Sequence, residues 1–224
     1  MSDNRTSPNM NQIAVLETVS IRWPVEHASE LGPNATSSSQ DPYNRTRQLA
    51  RVGQPSEVVA ISYRLLNRYD DLGDYEDPVT VYVKPHHSEV SDVTLDILEL
   101  TRREFEEESI PFADSAAMLK QAFNPSETLP VWATWGHYPF ERLRKDYAKV
   151  KAKYPFSSRH INLKTVAGIM LRGQDLPLKD ALSSIERDSG IPLPVRGRSH
   201  IDNLDSITDI AWYLFCSTWG SDEV

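Results

Sequence analysis

Cysteine is almost missing from this chain, with Cys216 the only one in 224 residues. A single thiol excludes an internal disulfide and a cysteine-built zinc site. Its place in an apolar C-terminal segment reads as packing. Long apolar runs are missing too: no stretch reaches the length of a membrane span, and the opening MSDNRTSPNMNQ has no apolar signal-peptide core. The expectation is a cytoplasmic protein with no membrane contact. The third absence is net positive charge. At −8 the chain is not built to coat nucleic acid non-specifically. A local basic surface and a carboxylate-rich site both remain open to it.

What is present has the balance of an ordinary soluble protein, 39% hydrophobic and 25% charged. The length suits one α/β domain with an insertion better than two full domains. Residues 1–11 read as a flexible tail and 12–224 as a single domain. The insertion, at about 23–55, is rich in Pro, Ser, Asn and Thr and weak in periodicity. QIAVLETVSI (Gln12 to Ile21) reads as a buried strand, EVVAISYRLL (Glu57 to Leu66) as a second, and VTVYVKP as a third ending at Pro85. SDVTLDILEL and PFADSAAMLKQAF turn to helical period, separated by the acidic EFEEES. LPVWATWG is then a short strand, FERLRKDYAKVKAKY a charged helix, and PLKDALSSIERDSG a helix stopped by Gly190. This order predicts an α/β fold, a mixed sheet of about five strands flanked by helices, with any site at the strand ends.

RGRSHIDNLDSITDIAWYLF, from Arg196 to Phe215, is the stretch with the sharpest chemistry. Leu204, Ile207, Ala211 and Leu214 recur at helical spacing. Ser199 or Asp202 is the expected N-cap, which places Asp205 near the positive end of the helix dipole. Two readings follow. Either Asp202 and Asp205 cap and complement the dipole while His200 is loop surface, or a carboxylate kept ionised by the helix end is aimed at a cation.

Taken together, VLET at 15–18, EVVAIS after it, VYVKP with the helical stretch that follows, WATWGHYPFERL and GRSHIDNLDSITDIA resemble the DEDDh branch of the DnaQ-like 3′–5′ exonuclease (ribonuclease H-like) superfamily. The resemblance runs from about Gln12 to about Leu214, interrupted by the insertion. It implies a ribonuclease H-like sheet and hydrolysis of phosphodiesters with two Mg²⁺ or Mn²⁺ ions about 4 Å apart. It also assigns roles. Glu17 and Asp205 would be metal ligands, and His200, kept neutral, the general base that takes a proton from water. Two ligands depart from the pattern: Val15 and Pro139 stand where the family has aspartates. Affinity for hard cations follows carboxylate count, so two-metal binding is expected to be weak at best. His137, two residues before Pro139, is the candidate substitute, and imidazole would favour Mn²⁺.

The segment from Glu141 to Lys164 carries eight Lys or Arg against two acids. Arg142, Arg144, Lys145, Lys149, Lys151, Lys153 and Arg159 are the candidate nucleic-acid contacts. Tyr147, Tyr154 and Phe156 interleave with them, as stacking on a single strand would require; burial on the inner side of a charged helix is the alternative. Three functions are therefore expected to compete. The first is an exonuclease-fold protein with a degraded metal site that binds single-stranded nucleic acid or a nucleoprotein complex without efficient cleavage. The second is an active 3′–5′ exonuclease with a rebuilt site. The third is a structural subunit that meets a protein partner through the 23–55 insertion.

Overall fold

The computed structural model describes residues 12–21, 57–67, 70–123, 131–171, 176–194, 196–197 and 199–219. The expected tail at 1–11, the insertion at 23–55 and the side-chain packing of Cys216 lie outside the described residues.

Six strands make one sheet: β1 (Gln12–Ser20), β2 (Val58–Asn67), β3 (Val79–Lys84), β4 (Ile110–Pro111), β5 (Val131–Thr134) and β6 (His160–Asn162). Their spatial order is β4-β3-β2-β1-β5-β6. β1 pairs antiparallel with β2, and β2 antiparallel with β3, whereas β1–β5 and β5–β6 are parallel. β1 is central and covered on both faces, so that eight of its nine residues are buried, the polar Glu17, Thr18 and Ser20 among them.

Seven helices are described: α1 (Asp92–Leu98), α2 (Arg102–Glu108), α3 (Phe112–Phe123), α4 (Tyr138–Lys149), α5 (Leu163–Met170), α6 (Leu178–Ser189) and α7 (His200–Trp219). One face of the sheet, with Ile13, Val15, Leu66 and Ala133, packs on α5, α6 and α7 through Leu163, Ala181, Ile185, Leu204 and Ile207. The other face, with Leu16, Ile61, Tyr63 and Trp132, packs on α3 and α4 through Phe112, Leu119, Leu143 and Tyr147. A third cluster joins Val19, Ile21 and Val59 to Leu95, Leu98 and Phe105 of α1 and α2.

The expected mixed sheet is present, with four differences in detail. EFEEES is not a separator but most of α2, started by a capping box in which the Thr101 hydroxyl accepts the Glu104 amide and the Glu104 carboxylate accepts the Thr101 amide. β4, β6 and α5 are not among the expected elements. β6 is three residues long, too short for an alternating pattern to be visible. Gly190 stops α6 as expected, at φ +69°, the left-handed conformation that glycine adopts without strain.

Candidate functional site

Val15 lies opposite Arg64 of β2 and Ala133 of β5. Its side chain is fully buried in the cluster that contains Leu204 and Ile207 of α7. Residues directly opposite in an antiparallel ladder project to the same face. Arg64 therefore leaves the sheet on the α7 side, at the level of Val15. There its Nη2 donates to Oδ1 of Asp205 at 2.5 Å, and its Nη1 to the backbone carbonyl of Glu76. Arg196 approaches separately, Nη1 to Oδ2 of Asp205 at 2.7 Å and Nη2 to Oδ2 of Asp209 at 2.9 Å. The Tyr75 hydroxyl donates to the other oxygen of Asp209 at 3.2 Å, and the Arg64 guanidinium lies 5.5 Å from the Tyr75 ring centre. Each oxygen of Asp205 thus holds a guanidinium.

Asp209 is almost wholly buried, and that burial pushes its carboxyl above the usual range; Arg196 and the Tyr75 hydroxyl pull it back, and Asp205 adds to the rise. Arg64 belongs to this cluster although no sequence motif marks it, and Asp209, a carboxylate flanking Asp205 that could have stood in as a ligand, is held by Arg196 and Tyr75. For Arg64 a signal was available: an arginine inside the apolar run VVAISYRLLN must find a buried anion.

The helix start corrects one reading. Ser199 is the cap: its hydroxyl accepts the Asp202 amide at 3.1 Å, and the Asp202 carboxylate accepts the Ser199 amide at 3.0 Å. Asp202 is the first-turn acid. Asp205 lies a turn further in, where the pull of the helix end has faded. Its electrostatic partners are the two arginines.

His200 is the first residue of α7 and is not loop surface. It is 3% exposed, with Nδ1 3.3 Å from the Ile97 carbonyl of α1 and its ring edge-on to Tyr82 of β3. Burial lowers its pKa, an effect opposed by the Ile97 carbonyl, Glu99 and Asp202. Glu17 is also buried, two residues beyond Val15 on the same face of β1. Among the described residues no three His, Cys, Asp or Glu side chains are grouped so as to hold a metal ion. Pro139 is buried in the first turn of α4, where a missing amide proton costs nothing. His137, its N-cap residue, is exposed and sits 3.7 Å from Glu141.

The basic segment divides in two. Arg142 and Lys149 face Asp146, at 3.0 and 3.5 Å, and this buried carboxylate also accepts the Val58 amide at 3.1 Å. Asp146 is consequently the latch between α4 and β2, and Arg142 is paired with it along the helix. Arg144, Lys145, Lys151, Lys153 and Arg159 are exposed. The aromatic residues between them are not a stacking surface: Tyr147 and Phe156 are core, Tyr154 is half-buried against it, and the Tyr147 hydroxyl is 2.7 Å from that of Ser115. The helical period decides this, because Leu143 and Tyr147 share the inward face of α4.

His160 of β6 lies beside this segment, its Nε2 2.8 Å from the Thr134 hydroxyl. Burial and the neighbouring His137 push its pKa down from 6.5 to about 4. A folded pKa below the unfolded value means that stability is complete above pH 6.5 and is lost as pH falls towards 4, because the unfolded chain takes up the proton first. Urea midpoints measured across that range should decline by about 1 kcal/mol of stability, after allowance for solvent at a half-buried ring. His160→Phe should flatten that part of the decline, leaving the buried His200 to act in the same direction. An unchanged slope in the variant would remove His160 from the account.

No family model matches the sequence, and no curated protein matches it. Solved structures do. A full-length 3′-exonuclease superposes with a TM-score of 0.63 at 15% identity, over 93% of this chain and 83% of that one. The nuclease domain of 3′hExo, a DEDDh family member bound to rAMP, gives 0.61 at 16% identity, over 95% and 94%. Pop2p of S. pombe, in a form with Mg²⁺ and Mn²⁺ bound, gives 0.53 at 15%, over 90% and 82%.

Proposed function

We propose that this chain, which has the DnaQ-like 3′–5′ exonuclease fold, is a non-cleaving protein that holds a single nucleic-acid strand by its backbone, alone or within a nucleoprotein complex. The observation that carries this reading is the double occupation of Asp205 by Arg64 and Arg196. A two-metal centre needs several carboxylates whose oxygens are open to hard cations. Here Val15 and Pro139 offer no ligand, and the Asp205 oxygens are engaged by fixed positive charge. The residues present do not fit two divalent ions. Two guanidiniums instead balance Asp205 and Asp209, so the carboxylates left over need no metal to be stable.

What supports binding is the exposed group Arg144, Lys145, Lys151, Lys153 and Arg159, on a chain whose net charge is −8. Such a concentration of cations on an acidic protein suits phosphates, and lysines there would hold backbone and not read bases. Labelled single strands titrated at two salt concentrations test this. Binding should weaken steeply with salt. Changing Lys145, Lys151 and Lys153 to Gln should weaken it for all sequences alike and lower the log–log salt slope by about 2. Absence of binding at low salt would end the nucleic-acid reading and favour a protein partner.

A further inference from the structure

We infer that His137 is the open end of an aromatic stack and receives a nucleobase of the bound strand; this rests on the reading just given and adds a base contact to it. The stack begins in the core. Phe123 and Phe156 have ring centres 5.7 Å apart, Phe156 stacks on Trp132 at 4.8 Å, and Trp132 meets His160 at 4.5 Å. His160 stacks on Phe140 at 4.6 Å and 18°, and Phe140 meets His137 at 5.0 Å. Phe123, Phe156 and Trp132 are buried, His160 and Phe140 are half-buried, and the His137 side chain is 56% exposed. The series therefore ends on a ring that is open to solvent.

Nothing in the local fold requires an aromatic residue at that end. His137 is the N-cap residue of α4 but makes no side-chain capping bond, and its ion-pair partner, Glu141, is exposed and 3.7 Å away. The rings behind it are held in place, since Nε2 of His160 is 2.8 Å from the Thr134 hydroxyl. A pre-positioned ring loses little freedom when another ring stacks on it, and aromatic pairs favour such offset stacks. The charge nearby selects the occupant. The Arg144 guanidinium lies 5.4 Å from the Phe140 ring centre, and Lys145 follows it on the exposed side of α4. An aromatic ring with cations one residue's reach away matches a base joined to its phosphates, the arrangement by which single strands are bound without sequence preference.

A short fluorescent oligodeoxythymidylate and an abasic strand of the same length separate base stacking from phosphate contact. The native chain should bind the abasic strand about tenfold more weakly. His137→Ala should lower affinity for the thymidylate strand by about tenfold and leave abasic binding unchanged; because the side chain is exposed and caps nothing, the fold should survive, as circular dichroism would verify. His137→Trp should raise thymidylate affinity. Equal affinity for the two strands, or an equal effect of His137→Ala on both, would overturn the stacking site while leaving phosphate binding intact. No salt-dependent binding of either strand would remove both proposals together.

Discussion

Purified protein incubated with labelled single-stranded RNA or DNA and Mg²⁺ or Mn²⁺ is expected to leave the strand at full length. Hydrolysis at neutral pH needs a metal-activated water and a sink for charge on the leaving oxygen, and metal ions supply both. Enzymes accelerate their reactions about a millionfold or more, and without the metal centre the expected deficit is the whole of that activity. Restoring the two family positions, Val15→Asp with Pro139→Asp, should not recover cleavage by itself. The carboxylate introduced by Val15→Asp would stand opposite Arg64 in the register and pair with it, while Arg196 continues to hold Asp205. Trimming by the unaltered protein that is abolished by chelation and by His200→Ala would overturn this expectation and revive a rebuilt metal site.

Replacement of Arg64 by Met should cost about 3 kcal/mol of stability, the lower end of the range found when one partner of a buried ion pair is removed, because Arg196 stays on Asp205. The Arg64 side chain is 8% exposed and that of Asp205 17%, so neither charge can turn to solvent without moving β2 or α7. The same substitution also strips the Glu76 carbonyl of its guanidinium donor and the Tyr75 ring of its cation. Denaturant unfolding monitored at constant pH measures the loss. A paired Arg64→Met and Asp205→Leu should cost less than the two single changes added, because no unpaired charge is left behind. A loss below about 1 kcal/mol for Arg64→Met would place the pair among solvated surface bridges and would weaken the case that guanidiniums have taken over from metal ions.

Much of the architecture was legible because it is written locally. Apolar continuity in 12–21 marked a strand covered on both faces, Gly190 marked a helix end, and Leu204, Ile207, Ala211 and Leu214 marked the inner face of α7. The spacing of His200 and Asp205 marked the start of α7, and Val15 and Pro139 were visible as residues that cannot bind a cation. The short elements β6 and α5 were hidden, since three residues of strand against a parallel neighbour leave no period to read.

The partners were the harder matter. In sequence, Tyr147 and Phe156 looked as available to a ligand as the lysines beside them, and only the packing of α4 on β2 and β5 turned them inward. Arg64 could be seen to need an anion, but that anion is Asp205, 141 positions along the chain. The chain by itself determined which side chains carry charge and most of the strands and helices that form, because these follow from residue chemistry and short-range periodicity. Only the tertiary structure decided that two arginines from β2 and from the approach to α7 close on one aspartate, and that an aromatic series surfaces at His137. Contacts of that kind depend on the sheet register and on which helix face meets the sheet, and both are set by the burial of the whole core.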